Sequence, residues 1–176
     1  MKIRLRQHGL KQASAVLLLM GLCVLQATGA DSAVQATLDA SKASPRQVEA
    51  LTERSVLRDY KFAWTNLAQA LESNSAAPLN GTFTGTASAW LNQAVTTQRS
   101  AGLTSHYTNQ THQLEAVFYA PEGDVIELHD TASYDLQILD GSKSIHSEHV
   151  SIHYVVLMTP GADRWVVRQL QSTQQF

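Results

Sequence analysis

One carboxylate interrupts a hydrophobic pattern. From Val125 to Leu139 the even positions Ile126, Leu128, Ala132, Tyr134, Leu136 and Ile138 are apolar or aromatic, and Asp130 stands among them. An acid on the core side of a strand must be solvated, hydrogen-bonded or raised in pKa. Tyr134 shares its face, and Tyr154 lies on the core face of the next arm, so two hydroxyls are within reach of it. A bulge at His129 to Thr131 that turns Asp130 to solvent is the more economical expectation, and a polar pocket that binds a ligand without reacting comes next.

Histidine is the second enrichment, with His129, His146, His149 and His153 all between Val125 and Met158. Pairing the two arms around the loop Asp140 to Ser142 places His129 opposite His153, and Glu127 or His149 diagonal to them would complete a zinc set. Their odd-numbered face also carries Glu127, Thr131, Ser133 and Ser151, so solvated imidazoles are the preferred reading and no metal or other cofactor is assigned. Nucleophilic catalysis has little support, because there is no G-x-S-x-G elbow and the single cysteine, Cys23, falls in the first thirty residues. Asn80 to Gly85 lacks the lysine of a phosphate loop and reads as a turn. Asn80-Gly81-Thr82 and Asn109-Gln110-Thr111 fit the N-glycosylation pattern.

The elements that must position these groups follow from periodicity. Ser44-Pro45-Arg46-Gln47 carries a serine cap, proline at the first turn and glutamine three residues on, which predicts one helix from Pro45 to Ser73, long enough to admit a break near Arg58-Asp59. Val48, Leu51, Val56, Tyr60, Ala63, Trp64, Leu67 and Leu71 form its stripe. A second helix is expected from Gly85 to Ala101, with Ala87, Trp90, Leu91, Ala94 and Val95 inward and Gly102 as its stop. The period then changes to two. A strand ends at Pro121 to Asp124 with Leu114, Ala116 and Phe118 on one face, the long hairpin Val125 to Met158 follows, and Arg164 to Leu170 supplies a fourth strand. Even-numbered residues are apolar in both hairpin arms, so register must pair even with even around a three-residue loop, Asp140 to Ser142 or Gly141 to Lys143.

Two helices followed by an antiparallel meander give an α+β class: two helices packed in the concave face of a curved four-stranded sheet. That order, with the Trp64 helix, the Trp90 helix and a last strand at Arg164-Trp165-Val166-Val167, resembles the nuclear transport factor two-like superfamily, the cone fold of ketosteroid isomerases and SnoaL-like cyclases, over residues 45 to 172. It is also similar to extracytoplasmic members that serve as binding or assembly domains. The resemblance implies a concave pocket, here lined by Trp64, Trp90, Leu128, Asp130, Tyr134, Ile152 and Tyr154. In the enzymes of the superfamily an acid in that pocket is the proton-transferring base, which would make Asp130 the base and Tyr134 or Tyr154 its hydrogen-bonding helpers.

Lys2, Arg4, Arg6 and Lys11, the apolar run Ala15 to Leu25, and Ala27-Thr28-Gly29-Ala30 before Asp31 have the three parts of a secretory signal peptide. Residues 1–30 are therefore expected to be removed, 31–44 to form a flexible lead-in and 45–176 a single domain, secreted or periplasmic and not inserted in a membrane after cleavage. The leader takes four of thirteen basic residues and no acids, which leaves nine against fifteen, a net charge of −6. That balance disfavours nucleic acid, which wants clustered Lys and Arg. The partners left are a small apolar ligand, a protein or a second copy of the chain.

Overall fold

The structure, a computed structural model, describes residues 33–176, so the leader sequence lies outside the described residues. In chain order the elements are β1 (Gln35–Asp39), β2 (Ser44–Pro45), α1 (Ala50–Glu72), a short 3-10 turn (Ala77–Leu79), α2 (Gly85–Ser100), β3 (Leu103–Tyr119), β4 (Ile126–Asp140), β5 (Lys143–Pro160) and β6 (Trp165–Thr173). The strands form one six-stranded sheet in the order β1-β3-β4-β5-β6, with β2 also on β3. β1 and β2 run parallel to β3, and the other pairs are antiparallel. The class is thus α+β with a mixed, open, curved sheet, and the expectation of four antiparallel strands is corrected.

The extra strands come from the stretch expected to be a loose lead-in. Gln35 to Asp39 shows only Ala36 and Leu38 half-buried between exposed residues, a weak alternation, and its partner Thr111 to Glu115 is remote in sequence. Pro45 lies opposite Tyr119 in the sheet, so the three helix-start signals at Ser44 to Gln47 are not used there. α1 begins at Ala50 behind the extended residue Glu49. It then runs unbroken through Arg58-Asp59. Asp59, although buried, accepts from the Arg58 guanidinium at 2.8 and 3.0 Å and from the Trp165 backbone N–H at 2.9 Å, which ties the middle of the helix to β6.

β4 keeps the alternation that its sequence announces: Ile126, Leu128, Asp130, Ala132 and Tyr134 are all buried. Its pairing with β5 is continuous from Ile126 to Ile138, so the bulge expected at His129 to Thr131 does not exist and Asp130 faces the core. The bulges lie elsewhere. In β3, pairing with β4 slips between Thr108 and Thr111, where Asn109 takes φ +54°, and again between Ala116 and Phe118. Each slip exchanges the faces of the strand: Ser105 faces inward before the first, His112, Leu114 and Ala116 between them, and Tyr119 after the second. Phe118, expected beside Leu114, is accordingly turned outward, 38% exposed.

The hairpin turn is Gly141-Ser142, one residue shorter than expected, with φ +59° at Gly141 and none positive at Ser142, the pattern of a type II′ turn. A register shift opposite Ile138 and Leu139 leaves Ile145 as an extra residue, which restores even-with-even pairing beyond it. A further slip lies between Leu157 and Met158. Bulges add local twist and bend, and they curve the sheet around α1. Val56, Tyr60, Ala63, Trp64, Leu67 and Leu71 of α1 and Ala87, Leu91 and Val95 of α2 fill the concave side. No described helix is long and apolar enough to cross a membrane.

Candidate functional site

Asp130 is completely buried, opposite Leu114 on β3 and Tyr154 on β5. The Tyr60 hydroxyl of α1 donates to its Oδ2 at 2.6 Å, and Nδ1 of the buried His112 ring lies 2.8 Å from the same oxygen. Trp64 packs on His112 with ring centroids 4.4 Å apart, and Tyr60 meets that imidazole edge-on at 5.5 Å. Burial, then the charge of Asp130 and the hydrogen bond to it, hold the Tyr60 phenol well above its ordinary pKa. Asp130 Oδ1, His112 Nε2 and Gln110 Oε1 are buried atoms with no hydrogen-bond partner among the described residues. The cluster ties α1 to β3 and β4 through one carboxylate oxygen.

Above it lies a cavity of about 210 Å³ between the two helices and the sheet. Aromatic rings from every layer meet there: Trp64 from α1, Trp90 from α2, and Tyr107, Tyr134 and Tyr154 from three neighbouring strands. Leucines and Ala94 complete the wall, with Gln98 and Ser105, and among the described residues no charged side chain lines it. Ser105 donates to Gln98 Oε1, and Gln98 in turn donates to Leu71 O and Asn74 Oδ1, so the polar part of the wall is internally satisfied. The Tyr134 and Tyr154 hydroxyls are 3.3 Å apart. Burial pushes the pKa of Tyr154, Tyr107 and Tyr134 upward, so all three remain neutral donors. Trp90, read in the sequence as an inward residue, is 56% exposed at the mouth of the cavity. A groove of about 430 Å³ continues from Trp90 along α2 to Ala101 and Ile138.

Of the residues named from the sequence, Trp64, Trp90, Tyr134 and Tyr154 meet around this cavity. Leu128 and Asp130 do not line it, being fully buried beneath, and Ile152 is half-buried away from its wall. Trp64 touches His112 and also lines the cavity, so its ring joins the carboxylate's cluster to the cavity wall.

No family model and no curated protein matches the chain. Among solved structures it is similar to the intermembrane space region of chloroplast protein ARC6, with a TM-score of 0.53 and 9% identity, over 72% of this chain and 98% of that one. At that identity the likeness is one of fold.

Sequence reasoning missed His112 and the part played by Tyr60 and Tyr107. His112 is two residues before Leu114 on the face that also holds Ala116, and an imidazole two positions from a core leucine was the signal for it. Tyr107 was hidden because the bulge at Asn109 reverses which positions of β3 face inward.

The outer face differs from its expectation too. His153 lies opposite Thr131 and accepts from or donates to its hydroxyl at 3.2 Å, while His129 lies opposite Val155, so the direct His129–His153 pair is corrected by a two-residue difference in register. Phe176 stacks flat on His129 at 4.3 Å and meets His153 edge-on at 4.8 Å. His149 pairs with Asp135 at 2.7 Å and His146 with Glu148 at 3.3 Å. Among the described residues no three His, Cys, Asp or Glu side chains are gathered to hold a metal ion.

Proposed function

We propose that this chain is an exported, non-catalytic binding domain of the cone-fold type whose concave cavity takes a small, uncharged, ring-bearing ligand. The observation that carries the reading is the uncharged aromatic wall formed by Trp64, Trp90, Tyr107, Tyr134 and Tyr154 around about 210 Å³. A dry apolar cavity of about 150 Å³ holds a benzene, so this space suits one or two fused rings rather than a drug-sized molecule. The neutral phenols favour a ligand without charge, because a buried ion would have no partner there.

The competing enzymatic reading, with Asp130 as base and Tyr134 or Tyr154 as donor, needs a substrate to reach a carboxylate that is 0% exposed and outside the cavity lining. The long helix held in a curved sheet supports the cone-fold assignment, and the basic, apolar and small-residue segments of residues 1–30 support export.

Indole and naphthalene titrated into the full chain should raise its melting temperature by several degrees at saturation and change its tryptophan fluorescence. Ala94→Phe, which fills the mouth beside Trp90, should abolish both effects without unfolding the protein. Absence of any saturable shift at millimolar ligand would sink the binding reading. N-terminal sequencing of the protein recovered from outside the producing cell tests the export reading, and any start other than Asp31 contradicts the cleavage site.

A further inference from the structure

β5 is eighteen residues long, but β6 pairs with it only from His153 to Pro160. Among the described residues the partner of Lys143 to Ile152 is β4 alone, so one edge of that stretch carries backbone N–H and C=O groups with no described strand against them. Lys143 to His149 are seven consecutive exposed residues, and Ile145 among them is 51% exposed. After Thr173 the chain does not continue along this edge, since Phe176 instead lies across the outer face on His129 and His153. A free edge of this length is a template for another strand.

We propose that the occupant is a second copy of this chain, its own Lys143–Ile152 edge paired antiparallel to the first about a two-fold axis at Ser147. Two independent features select that arrangement. The first is length. With Ser147 opposite Ser147 the regular ladder spans Ile145 to His149, and Lys143 and the turn of the partner lie alongside the vacant stretch up to Ile152, one residue short of His153, which is covered by Thr173 at the end of β6. Each hairpin tip then fills the edge left vacant on the other protomer, as a closed two-fold interface requires.

The second is charge. His146 and Glu148 share one face of β5 and already approach within 3.3 Å, each about half exposed. In the Ser147 register His146 of each protomer faces Glu148 of the other, which makes an alternating quartet of two imidazoles and two carboxylates. Centring on Glu148 would oppose carboxylate to carboxylate, and centring on His146 would oppose imidazole to imidazole. The bulge at Ile145 ends the regular ladder there, so its ordered part runs from Ile145 to His149 on each strand. The surface is distinct from the cavity of the proposed ligand and stands without it.

Sedimentation velocity on the full chain across micromolar to hundreds of micromolar should show a reversible dimer. His146→Glu, which replaces two complementary contacts by two carboxylate–carboxylate repulsions, and Glu148→His, which replaces them by two imidazole–imidazole contacts without a carboxylate, should each raise the dimer dissociation constant about tenfold. The double exchange, which restores the pairing with roles reversed, should recover the original constant. In a Cys23→Ser background, Ser147→Cys should form a disulfide-linked dimer under mild oxidation, because residues opposite one another at such an axis have Cα atoms about 5 Å apart, and Lys143→Cys should not. A chain that stays monomeric at the highest concentration overturns the proposal, whether or not the edge then accepts a strand from a different protein. So does a dimer indifferent to both single exchanges, or one that Lys143→Cys crosslinks as readily as Ser147→Cys.

Discussion

At Asp130 a carboxylate has replaced a core side chain, and its cost is offset by donors from two other elements. Tyr60 and His112 both reach Oδ2, so Asp130→Ala leaves a buried hydroxyl and a buried ring nitrogen without their partner. The expected loss is about 3 kcal/mol, read from urea unfolding. Tyr60→Phe removes one donor and keeps the ring, and about 1 to 2 kcal/mol is expected. Because both bonds end on one oxygen, the two losses should be strongly non-additive in a double-mutant cycle. A loss below about 0.5 kcal/mol for Asp130→Ala would mean that the cluster does not hold α1 to the sheet.

The approach of α2 to the sheet is set at its first residue. Gly85 opens the helix at φ +56°, and a Cβ built there would stand 3.0 Å from both the backbone oxygen and the Cγ of Arg168 on β6. Thr84 N–H to Val167 O at 2.9 Å and Val167 N–H to Thr82 O at 2.9 Å fix the same junction. Gly85→Ala therefore meets an unfavourable backbone region and a contact with backbone that cannot swing away, and about 1 to 3 kcal/mol of destabilisation is expected by chemical denaturation. Gly141→Ala tests the hairpin turn by contrast. Nothing lies within 4 Å of an added Cβ there, so only the cost of φ +59° is felt and the loss should be the smaller of the two.

The molecule as a whole carries a pH signature through its buried phenols. Burial raises the pKa of Tyr60, Tyr107 and Tyr154 in the folded chain, whereas an unfolded tyrosine ionises near 10. Below pH 10 both states hold the proton and stability is independent of these groups. Above it the unfolded chain releases protons that the folded chain keeps, so stability falls as pH rises, with a limiting slope of about 1.4 kcal/mol per pH unit for each phenol. Urea unfolding from pH 8 to pH 12 should show the decline beginning near 10, and tyrosinate absorbance from these three groups should appear only with unfolding. Tyr107→Phe should flatten the slope by one proton. A decline of equal steepness in that variant would contradict the burial of its hydroxyl.

The α+β class, both helices and the inward face of β4 were legible because each rests on local periodicity, 3.6 for Trp64 and its stripe and two for Ile126 to Ile138. The pairing of β1 with β3 was not, since a parallel partner 76 residues away, as Thr111 is from Gln35, leaves no turn signal and Ala36 and Leu38 are a faint alternation. Nor was β3 itself, because two bulges exchange its faces and a slipped register writes no mark in composition. For the candidate site, the sequence by itself determined that Asp130 was the exception on its face. Only the tertiary structure decided what the exception means: Tyr60 is seventy residues away and His112 eighteen, and their convergence on one oxygen requires α1 to lie in a sheet already bent. The same closure packs Trp64 on His112 and brings Trp64, Tyr134 and Tyr154 to the cavity wall while Asp130 stays off it.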